Sequence, residues 1–323
     1  MNNKNENSFL IISTNAIGDT YLSLSAIESI KNTFPNSKIF LVINDESNLL
    51  APFIPAEKIF ILKSRSVFSV INLLTKLRRN QFKYSLTFFP GRINSLLLTL
   101  SRAKIKAGFR NYRKIENWFS ISQKVYTNIR ETKIQKWFPE LNFLERIKIV
   151  LETIGITTNK VSKINLIQYP KIGIKKESVL IHPFSMMKNK SLSNSQLNAL
   201  IHHLKEKSDC RIIIIGGREL NCSSENYDWL SSMPVAIRSN EKLPSLVELI
   251  ISSKLFIGVD SFPIHIADSH DCDFMGIFGP TNPESVLVNF DKAVFFHIED
   301  LQSVRNTEFI ESIDRYLTKS GVI

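Results

Sequence analysis

Two doubly wound α/β domains are the fold class that this sequence predicts, and three observations carry the prediction. Short apolar runs alternate with amphipathic stretches from Phe9 onward, the alternation pauses in a polar, lysine- and proline-containing stretch before Val179, and it then restarts. Alternating strand and helix calls for a parallel sheet, because parallel neighbours need a crossover and the crossover helices cover both faces.

The elements follow in order. Phe9–Ser13 and Lys38–Ile43 read as strands, and between them Tyr21–Asn32 carries Leu22, Ala26, Ile27 and Ile30 at helical spacing. Ile59–Leu62, Ser85–Phe89 and Ile105–Phe109 are further strands, with helices over Val67–Arg79, Arg92–Ser101 and Asn142–Thr153. Gly155, the polar segment Thr157–Lys163 and the Pro170-containing stretch Tyr169–Glu177 form the break, the last of these read as a linker. In the second half strands fit Val179–His182, Arg211–Ile215, Leu255–Gly258 and Phe274–Phe278, and helices fit Ser193–Lys207, Ser245–Ser252 and Ile264–His270. A last helix, Thr307–Leu317, closes the chain, so the predicted boundaries are 1–168, 177–305 and 306–323.

Composition limits the function classes. The chain has 323 residues and 43% hydrophobic side chains, enough for two buried cores. No apolar run is long enough to span a bilayer, and the opening MNNKNENSFLIIST lacks the basic start and small-residue cleavage site of a signal peptide. The expectation is a cytoplasmic protein. Cys210, Cys222 and Cys272 are odd in number and unpaired in spacing, which argues against disulfides and a thiolate zinc site. A formal charge of +11 points to an anionic partner, either nucleic acid, anionic lipid or a phosphorylated substrate. No nucleic-acid recognition motif is present, so nucleic acid is not expected among the partners.

Five places can hold chemistry. STNAIGDT follows the first strand; Gly18 permits a tight turn or a close approach, and Asp19 at the helix start is either a cap or a general base. It is not GxGxxG, so a dinucleotide fingerprint is absent. HPFSMMKNKSLS follows the first strand of the second domain and sets Lys188 and Lys190 in a loop, where lysines meet phosphate oxygens or simply face water. IIIIGGREL runs a buried strand into Gly216–Gly217, a turn or a place for a nucleobase or ribose, with Glu219 nearby as a ribose partner or an exposed side chain. GVDSFPIHIAD ends a strand and opens a helix with Asp260, Ser261 and Pro263, and His265 lies one turn later; such a helix start is an anion site. FGPTNP, with Thr281, follows the next strand as a turn that adjoins the previous motif. No metal-ligand spacing appears near these residues.

At these places the sequence resembles glycosyltransferase family nine, which includes the heptosyltransferases of lipopolysaccharide core assembly. The resemblance covers nearly the whole chain and keeps the order of the motifs. It rests on STNAIGDT, the segment FFPGRINSLLLTLSRAKIKAGFR from Phe88 to Arg110, HPFSMMKNKSLS, SLVELIISSKLFIGVDSFPIHIAD and FGPTNP. It implies a GT-B fold, two Rossmann-like domains facing across a cleft, with the acceptor on the first and the nucleotide sugar on the second. It also implies an inverting, metal-independent enzyme without cofactor. The donor would be a nucleotide-diphosphate sugar such as ADP-heptose, and the acceptor a phosphorylated or lipid-linked glycan of the lipopolysaccharide core. The enzyme would work peripherally at the inner face of the bacterial inner membrane.

Carried over by position, Asp19 is the base, Lys190 pairs with donor phosphate, Asp260 holds sugar hydroxyls, and Ser261, the helix start at Phe262 and His265 cradle the pyrophosphate. Gly216, Gly217, Glu219 and Thr281 line the donor side, and Gly18 and Arg92 the acceptor loop. The sequence departs from the family at Val259, Phe262, Phe184 and Leu192, where Asn, Gly, Gly and a large aromatic are usual. Those departures motivate an alternative, a degenerate member that binds a nucleotide or glycan without transfer. Lys76, Arg78, Arg79, Arg92, Arg102, Lys104, Lys106, Arg110, Arg113 and Lys114 concentrate charge in the first domain, where an anionic membrane surface or phosphorylated acceptor would be attracted.

Overall fold

The computed structural model describes residues 7–109, 141–156, 177–217, 220, 227–270, 272–289, 294–298 and 300–320. The chain divides into two compact units, Met1–Leu166 and Ile167–Ile323.

The first unit is a five-stranded sheet of β1 (Ser8–Ser13), β2 (Lys38–Asn44), β3 (Lys58–Leu62), β4 (Phe82–Leu86) and β5 (Ala103–Ala107), ordered β3-β2-β1-β4-β5. Every pair is parallel. The central β1 is buried along almost its whole length, as a strand covered on both faces requires, while the edge strands β3 and β5 carry Lys58, Lys104 and Lys106. Helices α1 (Ile17–Thr33), α2 (Val67–Leu77), α3 (Arg92–Leu100) and α4 (Phe143–Thr153) accompany it. Val70, Leu73, Leu74 and Leu77 recur at three- and four-residue spacing along α2 and pack with Leu10, Ile12, Val42 and Phe60 of the sheet. Each such side chain, fully buried, contributes about 1.5–3 kcal/mol.

The second unit has six parallel strands: β6 (Ser178–His182), β7 (Arg211–Gly216), β8 (Val235–Ser239), β9 (Leu255–Val259), β10 (Phe274–Phe278) and β11 (Val294–His297). Their order is β11-β10-β9-β6-β7-β8. Helices α5 (Asn194–Lys207), α6 (Leu243–Ser252), α7 (Phe262–Ser269) and α8 (Asn306–Ser320) belong to it. Ser193 and Gln196 form a reciprocal capping box at the start of α5. Phe309, Ile313 and Leu317 of α8 join the core of this unit, so the last helix packs as part of it. Each sheet reverses its strand order once, between β1 and β4 and between β6 and β9, and the carboxyl ends there are where open α/β sheets bind ligands.

Several boundaries differ from the sequence reading. β4 starts three residues before the expected Ser85, because buried Phe82 and Tyr84 flank exposed Lys83 in a half-covered strand. The apolar run at Phe88–Phe89 lies beyond the strand end. β5 is likewise earlier, since Lys104 and Lys106 alternate outward along an edge. α1 begins at Ile17 rather than Tyr21, and α6 at Leu243, where Pro244 occupies its first turn. β8 and β11 were not expected: β8 is a partly exposed edge strand with no apolar run to mark it. Lys106 donates to the Thr99 carbonyl at 2.6 Å, and partial burial lowers its pKa from the ordinary lysine value. Arg110, Arg113 and Lys114 lie outside the described residues, as do all but Glu177 of the linker and Glu219. Among the described residues no helix is long and apolar enough to cross a membrane.

Candidate functional site

The carboxyl ends of β6 and β9 lie side by side, and the loops that leave them build the densest cluster of the expected residues. β6 ends at His182, and the chain then turns through Lys188–Lys190 before α5. This turn is held by its own serines. The Ser185 amide donates to Ser191 Oγ at 2.8 Å, Ser191 Oγ donates to the Ser185 carbonyl at 3.1 Å, and Leu192 N donates to the Pro183 carbonyl at 3.0 Å. β9 ends at Val259, and Asp260 continues the ladder by donating its amide to the Ile277 carbonyl at 3.1 Å.

Across the two ends, Lys190 Nζ donates to Asp260 Oδ2 at 2.6 Å, with side-chain exposures of 17% and 8%. Ser185 Oγ donates to the Asp260 carbonyl at 3.3 Å. Asp260 is therefore an ion-pair partner and not a helix cap; the cap position of α7 belongs to Ser261, whose side chain makes no capping bond. Ser261 Oγ instead lies 3.0 Å from His182 Nδ1, within hydrogen-bond reach of that ring, and donates to the Val259 carbonyl at 3.1 Å. A side chain at Gly279 would meet the Asn189 carbonyl oxygen at 2.8 Å, so the turn after β10 rests directly on the backbone of the lysine turn. Three strand ends thus converge on one place.

Both histidines here are neutral at neutral pH. Burial pushes His182 down to about 4 against a weaker backbone hydrogen bond that raises it. Burial also pushes His265 down to about 4; nearby Asp260 raises it and Lys190 lowers it further. His265 Nδ1 has no hydrogen-bond partner among the described residues. His265 is therefore no cation facing a phosphate; toward an anion it offers only the N–H of an uncharged ring. The positive charge of the cluster is that of Lys190.

Asp268, on the far turn of α7, takes the backbone amides of Val288 and Asn289 at 2.5 and 2.9 Å and so pins the segment that follows FGPTNP. Thr281, within FGPTNP itself, is half-buried. The departures from the family pattern have local explanations. Val259 is fully buried in the core of the second unit, and so is Leu192 at 3% exposure. Phe184 packs edge-on against His182 and Tyr227. A Cβ at Gly216 would strike the Phe184 ring at 2.8 Å and Leu220 at 2.9 Å. The missing side chain at Gly216 thus makes room for Phe184 and Leu220 of this chain. Gly217 follows it in the bend, and Phe262, half-buried, opens α7.

Asp19, Gly18 and Arg92 sit in the first unit. Asp19 is the third residue of α1, and the cap position is Ala16, which gives no side-chain bond; the cap reading of Asp19 is thereby set aside. Gly18 is helical, and Gly155 alone among the described glycines has a positive φ, so Gly18 supplies no left-handed turn. Arg92 is exposed at the first position of α3. The loop ahead of Asp19 is fixed by a buried amide the sequence reading passed over. Asn94 Oδ1 accepts from Thr14 N at 3.0 Å and Thr14 Oγ1 at 2.6 Å, and Asn94 Nδ2 donates to the Phe89 carbonyl at 3.1 Å. Asn44 Nδ2 donates to the Asn15 carbonyl at 2.5 Å, and Ser47 Oγ to Thr20 Oγ1 at 3.0 Å. The Asn in RINSLL, in the first turn of α3, was the available signal, since a polar side chain among apolar ones there must find a partner. His182 was likewise passed over as the partner of Ser261. Among the described residues no group of three or more His, Cys, Asp and Glu side chains gathers as metal ligands.

Comparison with known proteins places this geometry. A family model described as glycosyltransferase family 9 (heptosyltransferase) matches residues 70–308, well over half of the chain. A lipopolysaccharide heptosyltransferase 3 of Escherichia coli is 24% identical over 288 residues, covering 82% of this chain and 81% of that protein. The structure of E. coli heptosyltransferase WaaC with ADP superimposes with a TM-score of 0.71 at 14% identity, covering 98% of this chain and 100% of that one. The same enzyme with ADP-2-deoxy-2-fluoro heptose gives a TM-score of 0.67 at 14% identity, covering 95% and 99%. These superpositions show the GT-B fold class, with two Rossmann-like units.

Proposed function

The chain belongs to glycosyltransferase family 9 and is a glycosyltransferase of the heptosyltransferase type, and from that premise we propose that it moves a heptose from a nucleotide-diphosphate donor, ADP-heptose, to a lipopolysaccharide-core glycan with inversion and without metal. The observation that carries this reading is the Lys190–Asp260 pair at the start of α7, where the β6 and β9 ends meet. One ammonium proton of Lys190 is held by Asp260, which leaves two donors for diphosphate oxygens. Asp260 keeps free carboxylate lone pairs for sugar hydroxyls. The uncapped α7 start adds the positive end of a helix dipole.

The chemistry is an in-line displacement. The acceptor hydroxyl oxygen forms a bond to the anomeric carbon while the bond from that carbon to the β-phosphate oxygen breaks. The nucleoside diphosphate leaves with the electron pair, and the hydroxyl proton goes to a base, which we assign to Asp19. A base contributes about 10²–10⁴ in rate. Lys190 and the α7 start stabilise the charge that grows on the leaving phosphate, the role a cation fills in such reactions. The acceptor is a phosphorylated or lipid-linked glycan, the protein works in the cytoplasm at the inner face of the membrane, and nucleic acid is not a partner.

The test is product formation from ADP-heptose and a lipopolysaccharide-core acceptor, with the anomeric configuration of the product read by NMR in the presence of a chelator. Chelator-resistant transfer with inversion supports the proposal; retention, or loss of turnover with EDTA, contradicts those parts of it. Phe262 at the α7 start, where the family usually has glycine, favours a second reading in which the chain binds donor without transferring. Donor binding with neither transfer nor hydrolysis would select that reading.

A further inference from the structure

Helix α2 folds with a face that its own core does not use. Val70, Leu73, Leu74 and Leu77 are buried, and Ser66 caps the helix by accepting from the Ser69 amide at 3.3 Å. Val67, Phe68 and Ile71 are nonetheless 75%, 80% and 56% exposed. Single exposed apolar residues are ordinary, but three of them within one and a half turns form a patch. With about 100° between successive helical residues, these three lie together on one outward flank of α2.

The adjoining outward flank is cationic. Ser69, Asn72 and Lys76 of α2 line a cavity of about 630 Å³ closed on its other side by the edge strand β3, with Lys58, Lys63 and Arg79 at its walls. No carboxylate lines it. Lys58 lies over the Phe60 ring at 5.2 Å, and the side chains of Lys63, Lys76 and Arg79 have no ion-pair or hydrogen-bond partner among the described residues. Lysines on an edge strand guard against edge pairing, which accounts for Lys58. It does not account for a concave cationic site next to an apolar strip. This cavity is separate from the cluster around Lys190 and belongs to the other unit.

We propose that α2 and the β3 edge form a docking surface for an anionic lipid leaflet: Val67, Phe68 and Ile71 enter the acyl boundary, and a lipid phosphate sits in the cavity among Lys58, Lys63, Lys76 and Arg79. An apolar strip flanked by lysine and arginine is the composition of a helix that lies in the membrane interface. A second copy of the chain fits less well, because a symmetric contact here brings each cationic cavity against its own like. The proposal rests on the reading of the enzyme as one that meets its acceptor at an anionic surface, and it gives that contact a place.

The test is co-sedimentation of the full chain with vesicles of phosphatidylcholine alone or with 30% phosphatidylglycerol, a composition of about one anionic lipid in three as the anionic arm. Binding to the anionic vesicles only, weakening with salt, is expected. Lys63→Gln, Lys76→Gln and Arg79→Gln should each lower affinity roughly fivefold, and Phe68→Ser with Ile71→Ser about tenfold or more. Phe68→Trp should shift its added fluorescence to the blue on anionic vesicles, which reads insertion without removing any contact. Vesicle binding that none of these variants changes, no vesicle binding, or lipid-free dimerisation abolished by Phe68→Ser would each overturn the proposal. Transfer to a lipid-free acceptor should persist in the α2 variants. Loss of vesicle binding with transfer intact therefore bears on docking alone, and absence of transfer by the parent chain bears on the enzymatic reading alone.

Discussion

Lys190 and Asp260, seventy residues apart in the chain, meet at 2.6 Å between adjacent strand ends. Asp260 is only 8% exposed, so Lys190 stands in for most of the water its carboxylate has lost. Lys190→Ala should cost about 2–3 kcal/mol of stability, because it strands a nearly buried carboxylate. Asp260→Asn in the same chain should recover part of that loss. Urea unfolding of the two single variants and the double variant measures the coupling; additive losses would mean that the two groups act independently.

Gly279 ties a third strand end to the pair. An added methyl would lie 2.8 Å from the Asn189 carbonyl oxygen, which is backbone and cannot swing away. Gly279→Ala should displace the lysine turn, cost about 1–3 kcal/mol and weaken nucleoside-diphosphate binding. Calorimetric titration with ADP checks this, and unchanged affinity would show that the turn tolerates the methyl.

The two buried histidines set a pH dependence. Their folded values, about 4, lie below the ordinary 6.5, so the unfolded chain binds protons that the folded chain refuses as pH falls. Stability is full above pH 6.5 and is lost as pH drops toward 4, approaching roughly 3 kcal/mol per histidine. Unfolding free energies measured between pH 7.5 and 4.5 should fall, and His265→Gln should remove about half of the slope. A flat profile would mean that the rings are not held neutral.

Asn94 fixes the loop ahead of Asp19. It is fully buried and joins Thr14 to the Phe89 carbonyl. Asn94→Leu should cost about 1–3 kcal/mol, since the Thr14 amide loses its acceptor. Asp19→Asn, by contrast, should keep stability and donor affinity while lowering turnover about 10²–10⁴-fold. Normal turnover in Asp19→Asn would remove Asp19 as the base.

The sequence was most legible where burial is complete. FLIIS of β1, LFIGV of β9 and FMGIF of β10 are nearly unbroken apolar runs of strand length, and that length finds them. β8 was not legible, because VAIRS is a half-exposed edge strand with neither alternation nor a run. The offsets at β4 and β5 have the same origin, as Lys83, Lys104 and Lys106 interrupt the apolar signal at positions that face outward. In the site, Lys190, Asp260 and Ser261 were each visible as polar residues after a strand. Their pairing was not, because it depends on β6 and β9 being neighbours, a fact of topology and not of spacing. The fit of Phe184 over Gly216 was equally hidden, since a glycine after a strand looks the same whether a ligand or a side chain fills the space it leaves.

The central claim is that a nucleotide-diphosphate donor binds at Lys190 and Asp260. The most direct measurement is a thermal-unfolding panel of nucleoside diphosphates and their sugars against the parent chain and Lys190→Ala. At a hundredfold excess over Kd a ligand adds about 2.7 kcal/mol of stability. A rise with ADP and ADP-heptose that is absent in Lys190→Ala is the predicted result. A rise that Lys190→Ala retains in full, or no rise with any diphosphate, would contradict it.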